Sequence, residues 1–192
     1  MAISVQRCLL RFNVTLDIDM RIIQDYSTFD CLRRMCSLVA NWKIHDARRY
    51  GDKVAYGDWL EFRVAGFIDF VNALSLENGD SEYYFVDVLA LASKGLTLTA
   101  GDFPAMRLDT RVNERDYLNE LYSSVNFIEN IDYAMGCTNE YAFFPLSMNW
   151  HIYGLYDIEL ARIQSRAPFP STPFPHDYIP ADEAQRLIRL LD

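Results

Sequence analysis

Histidines, carboxylates and cysteines are the side chains that could do chemistry here, and their spacing gives little. His45, His151 and His176 stand far apart, so none forms the i, i+3 or i, i+4 pair that a helical metal site needs. His45 reads as a cation near a helix end, where the dipole is negative. His151 reads as a structural residue of a short strand. His176-Asp177 sets a base beside an acid, but adjacent side chains do not face each other in regular structure. A Cys137–His151 dyad would need geometry that sequence cannot supply. The pairs Asp17/Asp19 and Asp157/Glu159 have i, i+2 spacing, which puts both carboxylates on one face of a strand. Such a pair raises one pKa or binds a cation. Without a third ligand it reads as a solvated acidic face. No phosphate loop, dinucleotide loop or G-x-S-x-G elbow occurs. The expectation is a protein with no catalytic residues, no metal and no cofactor.

The four cysteines, Cys8, Cys31, Cys36 and Cys137, contain no C-x-x-C pair. Cys31 and Cys36 lie on one expected helix, about 140° apart on its wheel, and so should point to different sides. Reduced, mostly buried thiols suit a cytosolic protein. The first residues agree with that: Arg7 falls where a secretory signal would be apolar. Asn13-Val14-Thr15 matches a glycosylation sequon that has no meaning without secretion. No apolar run approaches the roughly 18 residues of a membrane span.

Several elements are expected to position these groups. Residues 3–18 alternate like a strand. Residues 30–49 keep a helical beat, capped by Ser27 or Thr28 and stopped by Gly51. A second helix is expected over 58–76 with Asp58 as N-cap, followed by a turn at Asn78-Gly79-Asp80. Residues 81–94 fit a buried helix or a buried strand, Leu96 to Thr99 fits a short strand, and 101–112 looks like loop. A third helix starts at Asn113 and runs no further than Gly136. On its wheel Asp116, Glu120 and Phe127 share the outward side. A hairpin is expected over 149–163, turning at Gly154-Leu155-Tyr156-Asp157. Four prolines at 168, 170, 173 and 175 then make an extended loop, pinned by Phe169 and Phe174, before a last short helix from Pro180. Helices and strands mix without a βαβ rhythm. The expected class is α+β, one domain over 1–192, with about four helices on a small, mostly antiparallel sheet.

Charge is the sharper signal. The 192 residues carry a net charge of −9, which argues against nucleic acid as a partner. Residues 1–56 balance at +3 and residues 57–192 at −12. Residues 116–161 hold no Lys or Arg, seven acids and six tyrosines. A hydrophobic content of 51% with 14% aromatics rules out disorder as the general state. An acidic, aromatic stretch of this kind suits a surface that steers a basic protein in. The candidate contact residues are Asp116 and Glu120 for steering, Phe127 as anchor, and Tyr156, Asp157 and Glu159 on the hairpin turn.

Trp150-His151-Ile152-Tyr153-Gly154, followed by Asp157, Glu159 and Ala161, resembles the W-x-I-Y-G…D-x-E-x-A hairpin of some bacterial immunity proteins of polymorphic toxin systems. The resemblance implies a cytosolic protein without catalysis that covers a cognate, often basic, toxin. Two other classes stay open on the sequence. One is a small-molecule binder or enzyme with a pocket lined by Tyr and Trp. The other is a phage-type inhibitor or adaptor that mimics nucleic acid.

Overall fold

Large side chains on both sides of a strand demand cover on both sides. The computed structural model, which describes residues 21–40, 53–88, 103–122, 124–128 and 131–191, meets that demand with helices above and below one sheet. In chain order come β1 (Arg21–Ile23), α1 (Tyr26–Val39), β2 (Lys53–Asp58), a 3₁₀ turn (Trp59–Arg63) and α2 (Phe67–Glu77). Then follow β3 (Glu82–Asp87), β4 (Phe103–Asp109), α3 (Glu114–Leu121), β5 (Ser124–Ile128) and β6 (Ile131–Ala134). The chain ends in β7 (Glu140–Phe144), β8 (Trp150–Leu155), β9 (Leu160–Ser165) and α4 (Ala181–Ile188).

The fold is α+β. Seven strands form one antiparallel sheet in the order β1-β4-β3-β7-β8-β9-β2, and β5 pairs with β6 separately. Tyr83, Phe85, Tyr141, Phe143, Trp150 and Ile152 face α2, α3 and the 3₁₀ turn. Tyr84, Val86, Ala142, Phe144 and Tyr153 face α1 and α4. Each strand thus sends alternate residues into two separate cores. The first core is built from rings: Phe62 lies 4.3 Å from Tyr141, and Tyr83 meets Trp150 edge-on at 5.5 Å. Such pairs add about 0.5–1.5 kcal/mol each beyond their burial.

Several expectations need correction. The helix expected over 30–49 begins at Tyr26, because Asp25 rather than Ser27 or Thr28 is its N-cap. Asp25 accepts from the Thr28 N–H at 2.7 Å, and the Ser27 and Thr28 hydroxyls bond back to it, holding its pKa down at about 2. The helix expected over 58–76 is split. Gly66, at φ +85, breaks the register between the 3₁₀ turn and α2, a conformation that a glycine adopts without strain. Residues 101–112, expected as loop, contain β4. Of the two forms left open for 81–94, residues 82–87 take the strand. The third helix stops at Leu121, and Phe127 sits in β5 instead of on a helix face. The first hairpin strand runs two residues further than expected, to Leu155, the chain turns through Tyr156–Ile158, and the return strand starts at Leu160 instead of Ile158. Cys31 and Cys36 are both buried, since α1 lies deep enough to sink a wide arc of its surface. Cys137 is exposed. The first helix, expected to run to Arg49, ends at Val39 with Ala40 as its C-cap. The expected strand over 3–18, Cys8, His45, and the expected strand at 96–99 lie outside the described residues.

One polar contact ties α1 to the sheet. Arg162 of β9 is buried, and its Nη2 donates to the Val39 carbonyl at 2.8 Å, at the helix end where unpaired carbonyls need donors. His151 Nε2 lies 3.4 Å from the same guanidinium. Burial, and then the Arg162 charge, push the His151 pKa down to about 3. The folded chain keeps this ring neutral, while a histidine in the unfolded chain takes a proton below about pH 6.5. The unfolded state therefore binds more protons as pH falls, and stability drops by up to about 1.4 kcal/mol per pH unit. His151→Gln is expected to remove that contribution between about pH 6 and 4, as measured by urea unfolding of both chains across the range. Parallel pH profiles for the two chains would reject it.

Candidate functional site

The corner where β2 ends, the 3₁₀ turn begins and the β8–β9 hairpin turns over carries the exposed acids and aromatics. Asp58 starts the turn by accepting from the Leu60 N–H at 2.7 Å. Two buried phenols then fasten it. The Tyr141 hydroxyl donates to the Trp59 carbonyl at 3.1 Å, and the Tyr117 hydroxyl to the Phe62 carbonyl at 2.7 Å. Burial raises both phenol pKa values well above 10, so both stay donors.

Small residues make room at this corner. Gly57, Ala161, Gly154 and Tyr141 lie in one row across β2, β9, β8 and β7. The Tyr141 ring lies over Gly154, where a Cβ would fall 2.3 Å from it. The Phe174 ring lies over Gly57, where a Cβ would fall 2.4 Å from it. Phe174 packs edge-on against Phe70 at 5.1 Å and stacks on Tyr178 at 5.2 Å. The proline loop is thus pinned as a strap, with the Ile179 N–H donating to the Tyr56 carbonyl at 2.8 Å. Its Phe anchors behave as the sequence suggests.

On the outside, Tyr156 is 49% exposed, yet its ring meets Trp59 edge-on at 5.0 Å. Asp157 and Glu159 flank it, both exposed. Glu159 takes the left-handed conformation at φ 50, its N–H donating to the Tyr156 carbonyl at 2.9 Å. Its own carbonyl accepts from the Trp59 N–H at 3.4 Å, which brings the hairpin turn to the 3₁₀ turn. Exposed Asp58 and Leu60 stand on that neighbouring segment. Arg63, the nearby cation, lies over the Trp59 and Phe62 rings at 4.7 and 4.9 Å and donates to the Thr138 carbonyl. Beneath lies Glu61, a carboxylate 1% exposed, with Oε1 2.6 Å from His176 Nδ1. Burial raises the Glu61 pKa, the His176 hydrogen bond and charge lower it, and Asp58 raises it again.

Tyr156, Asp157 and Glu159 lie together at the turn of the β8–β9 hairpin. Asp116 and Glu120 lie on α3, which leans on the same 3₁₀ turn from the other end, through Tyr117. Asp116 is exposed and belongs to the helix cap, accepting from Asn113 Nδ2 at 2.7 Å. The side chain of Phe127 is outside the described residues. The acidic stretch is not one surface: Glu140 accepts from the Tyr153 hydroxyl on the α1 side of the sheet. Most of its aromatics are core, including Tyr117, Tyr141, Trp150 and Tyr153. The sequence reading missed Trp59, Leu60, Glu61 and the partner of His176. That partner is Glu61 rather than Asp177, across 115 residues of chain, a distance that local spacing does not register.

No protein-family model matches the chain, and no curated protein or solved structure matches it either. Among the described residues no helix is long and apolar enough to cross a membrane, and no three His, Cys, Asp or Glu side chains gather as metal ligands would.

Gly57→Ala puts a methyl group where the Phe174 ring lies. The expected result is a strap displaced from β2, faster hydrogen exchange at Ile179, and a loss of roughly 1–3 kcal/mol of stability, the usual cost of overpacking. Unchanged exchange at Ile179 would show that Phe174 does not hold the strap.

Proposed function

We propose that this chain is a binding protein without catalysis, and that it neutralises a cognate basic toxin by covering the toxin's active or substrate-binding surface. The observation that carries this reading is Tyr156, an exposed ring already ordered on Trp59 and set between the exposed carboxylates of Asp157 and Glu159. A rigid aromatic loses little freedom when a partner covers it, and aromatic anchors dominate interface energetics. The carboxylates raise the rate of encounter with a basic surface, toward ~10⁸ M⁻¹s⁻¹ at low salt. The net charge of −9 acts in the same direction at longer range. Asp116 and Glu120 add to steering from α3. The hairpin's likeness to immunity-protein hairpins supports the toxin as partner and the cytosol of the producing cell as the place of action.

The test uses the neighbouring reading frame. If that frame encodes a toxin-like domain, its expression should arrest growth, and this chain should restore it. Asp157→Lys combined with Glu159→Lys is expected to slow association at least tenfold at low salt and to abolish protection, with the circular dichroism spectrum unchanged. Asp116→Lys with Glu120→Lys should slow association less. Full protection by the hairpin variant would remove this corner from the interface.

A further inference from the structure

Glu61 has two acceptor oxygens and a donor for only one of them. The side chain is 1% exposed, its Oε1 meets His176 Nδ1 at 2.6 Å, and its Oε2 is buried with no hydrogen-bond partner among the described residues. A buried acceptor without a donor is costly, and more so when it carries charge. The neighbouring groups do not meet the need. The Tyr141 hydroxyl donates to the Trp59 carbonyl. Arg63, two residues on, has its guanidinium over the Trp59 and Phe62 rings and its Nη2 on the Thr138 carbonyl. Asp58 at the end of β2 brings a second negative charge near Glu61, and both carboxylates act on the Tyr141 phenol. His176 comes from the strap, and its side chain is 66% exposed. Whatever its charge, an imidazole presents one Nδ1 donor here and leaves the second oxygen bare.

We propose that this corner holds a guanidinium site, in which an arginine side chain of a basic protein partner displaces His176 and pairs with both oxygens of Glu61. A guanidinium has the planar double-donor fork that matches a carboxylate, and an ammonium does not. It is also less strongly hydrated than an ammonium, so it gives up less on entering a half-closed site. His176 is the chain's own stand-in for that fork. Its exposed ring swings to solvent and uncovers the carboxylate. Phe174, set against Gly57, Phe70 and Tyr178, keeps the strap in place while the ring moves. Exposed Asp58, with Asp157 and Glu159 on the adjoining hairpin, favours a cation at the rim and opposes an anion. The inference rests on reading this corner as the contact surface for a basic protein, and not on that protein being a toxin.

The probes are two peptides, hexa-arginine and hexa-lysine, titrated into the full chain at ~0.15 M salt and followed by NMR. Hexa-arginine is expected to bind about tenfold tighter, as a charge-assisted double hydrogen bond does against a point charge, and to move the His176 ring resonances. His176→Ala removes the stand-in from an exposed position that leaves the variant able to fold. It should tighten hexa-arginine binding severalfold, the opposite of what loss of a contact residue does. Glu61→Gln leaves a single oxygen to accept and should bring the two peptides to equal affinity. Asp157→Lys with Glu159→Lys should weaken both peptides alike and keep the preference. Equal affinity of the native chain for the two peptides would overturn the inference, and so would a preference for arginine that survives Glu61→Gln. Weaker or unchanged hexa-arginine binding by His176→Ala would overturn it as well. A Glu61-dependent preference in a chain whose binding ignores the hairpin pair would uphold this site and count against the hairpin's part in steering.

Discussion

Two phenol hydroxyls hold five residues in place, and the corner is built on those five. Tyr141 and Tyr117 donate to the first and fourth carbonyls of the turn Trp59–Arg63. A turn this short satisfies few of its own carbonyls, and buried carbonyls without donors are costly. The sheet contributes one donor through β7, and α3 contributes the other. Once seated, the turn presents Trp59 to Tyr156, sends Phe62 into the ring-filled core, lowers Glu61 under the strap and folds Arg63 over aromatic faces. The acidic corner and the strap are thus both consequences of how this segment is tied down.

The broad class was legible because it depends on local signals. Asn113 caps α3, Asn78-Gly79-Asp80 turns the chain, and 149–163 forms a hairpin, each from chemistry contained within a few residues. The α2 region was only half legible. Asp58 does cap a helical turn, but Gly66 interrupts the pattern, and an amphipathic beat that survives the interruption hides the break. Phe103–Asp109 did not look like a strand because Pro104 and Arg107 disturb its alternation. Half-buried on the sheet, Arg107 reaches Glu82 on β3, a pairing that only strand order creates.

The hairpin teaches a similar lesson about its recognisable residues. Trp150, Ile152, Gly154 and Ala161 are buried, and they serve the packing of β8 and β9. The hairpin's two acids, Asp157 and Glu159, are both exposed and can face a partner's surface. A motif dominated by core residues reports how a hairpin is seated. It says less about what the hairpin touches. The run of residues without Lys or Arg divides in the same way: its tyrosines went mainly inward, and its acids went to different layers of the fold. Among the described side chains of the run, Tyr122 and Tyr156 are the exposed tyrosines, and Tyr156 is the one that stands beside Asp157 and Glu159.

The close approach of the Tyr141 ring to the bare backbone of Gly154 binds two positions thirteen residues apart in sequence into one heritable unit. A lineage that acquires any side chain at 154 must first shrink or redirect residue 141, and in doing so gives up the phenol that fastens the 3₁₀ turn. Descendants of this chain should therefore change these two sites together or leave both alone.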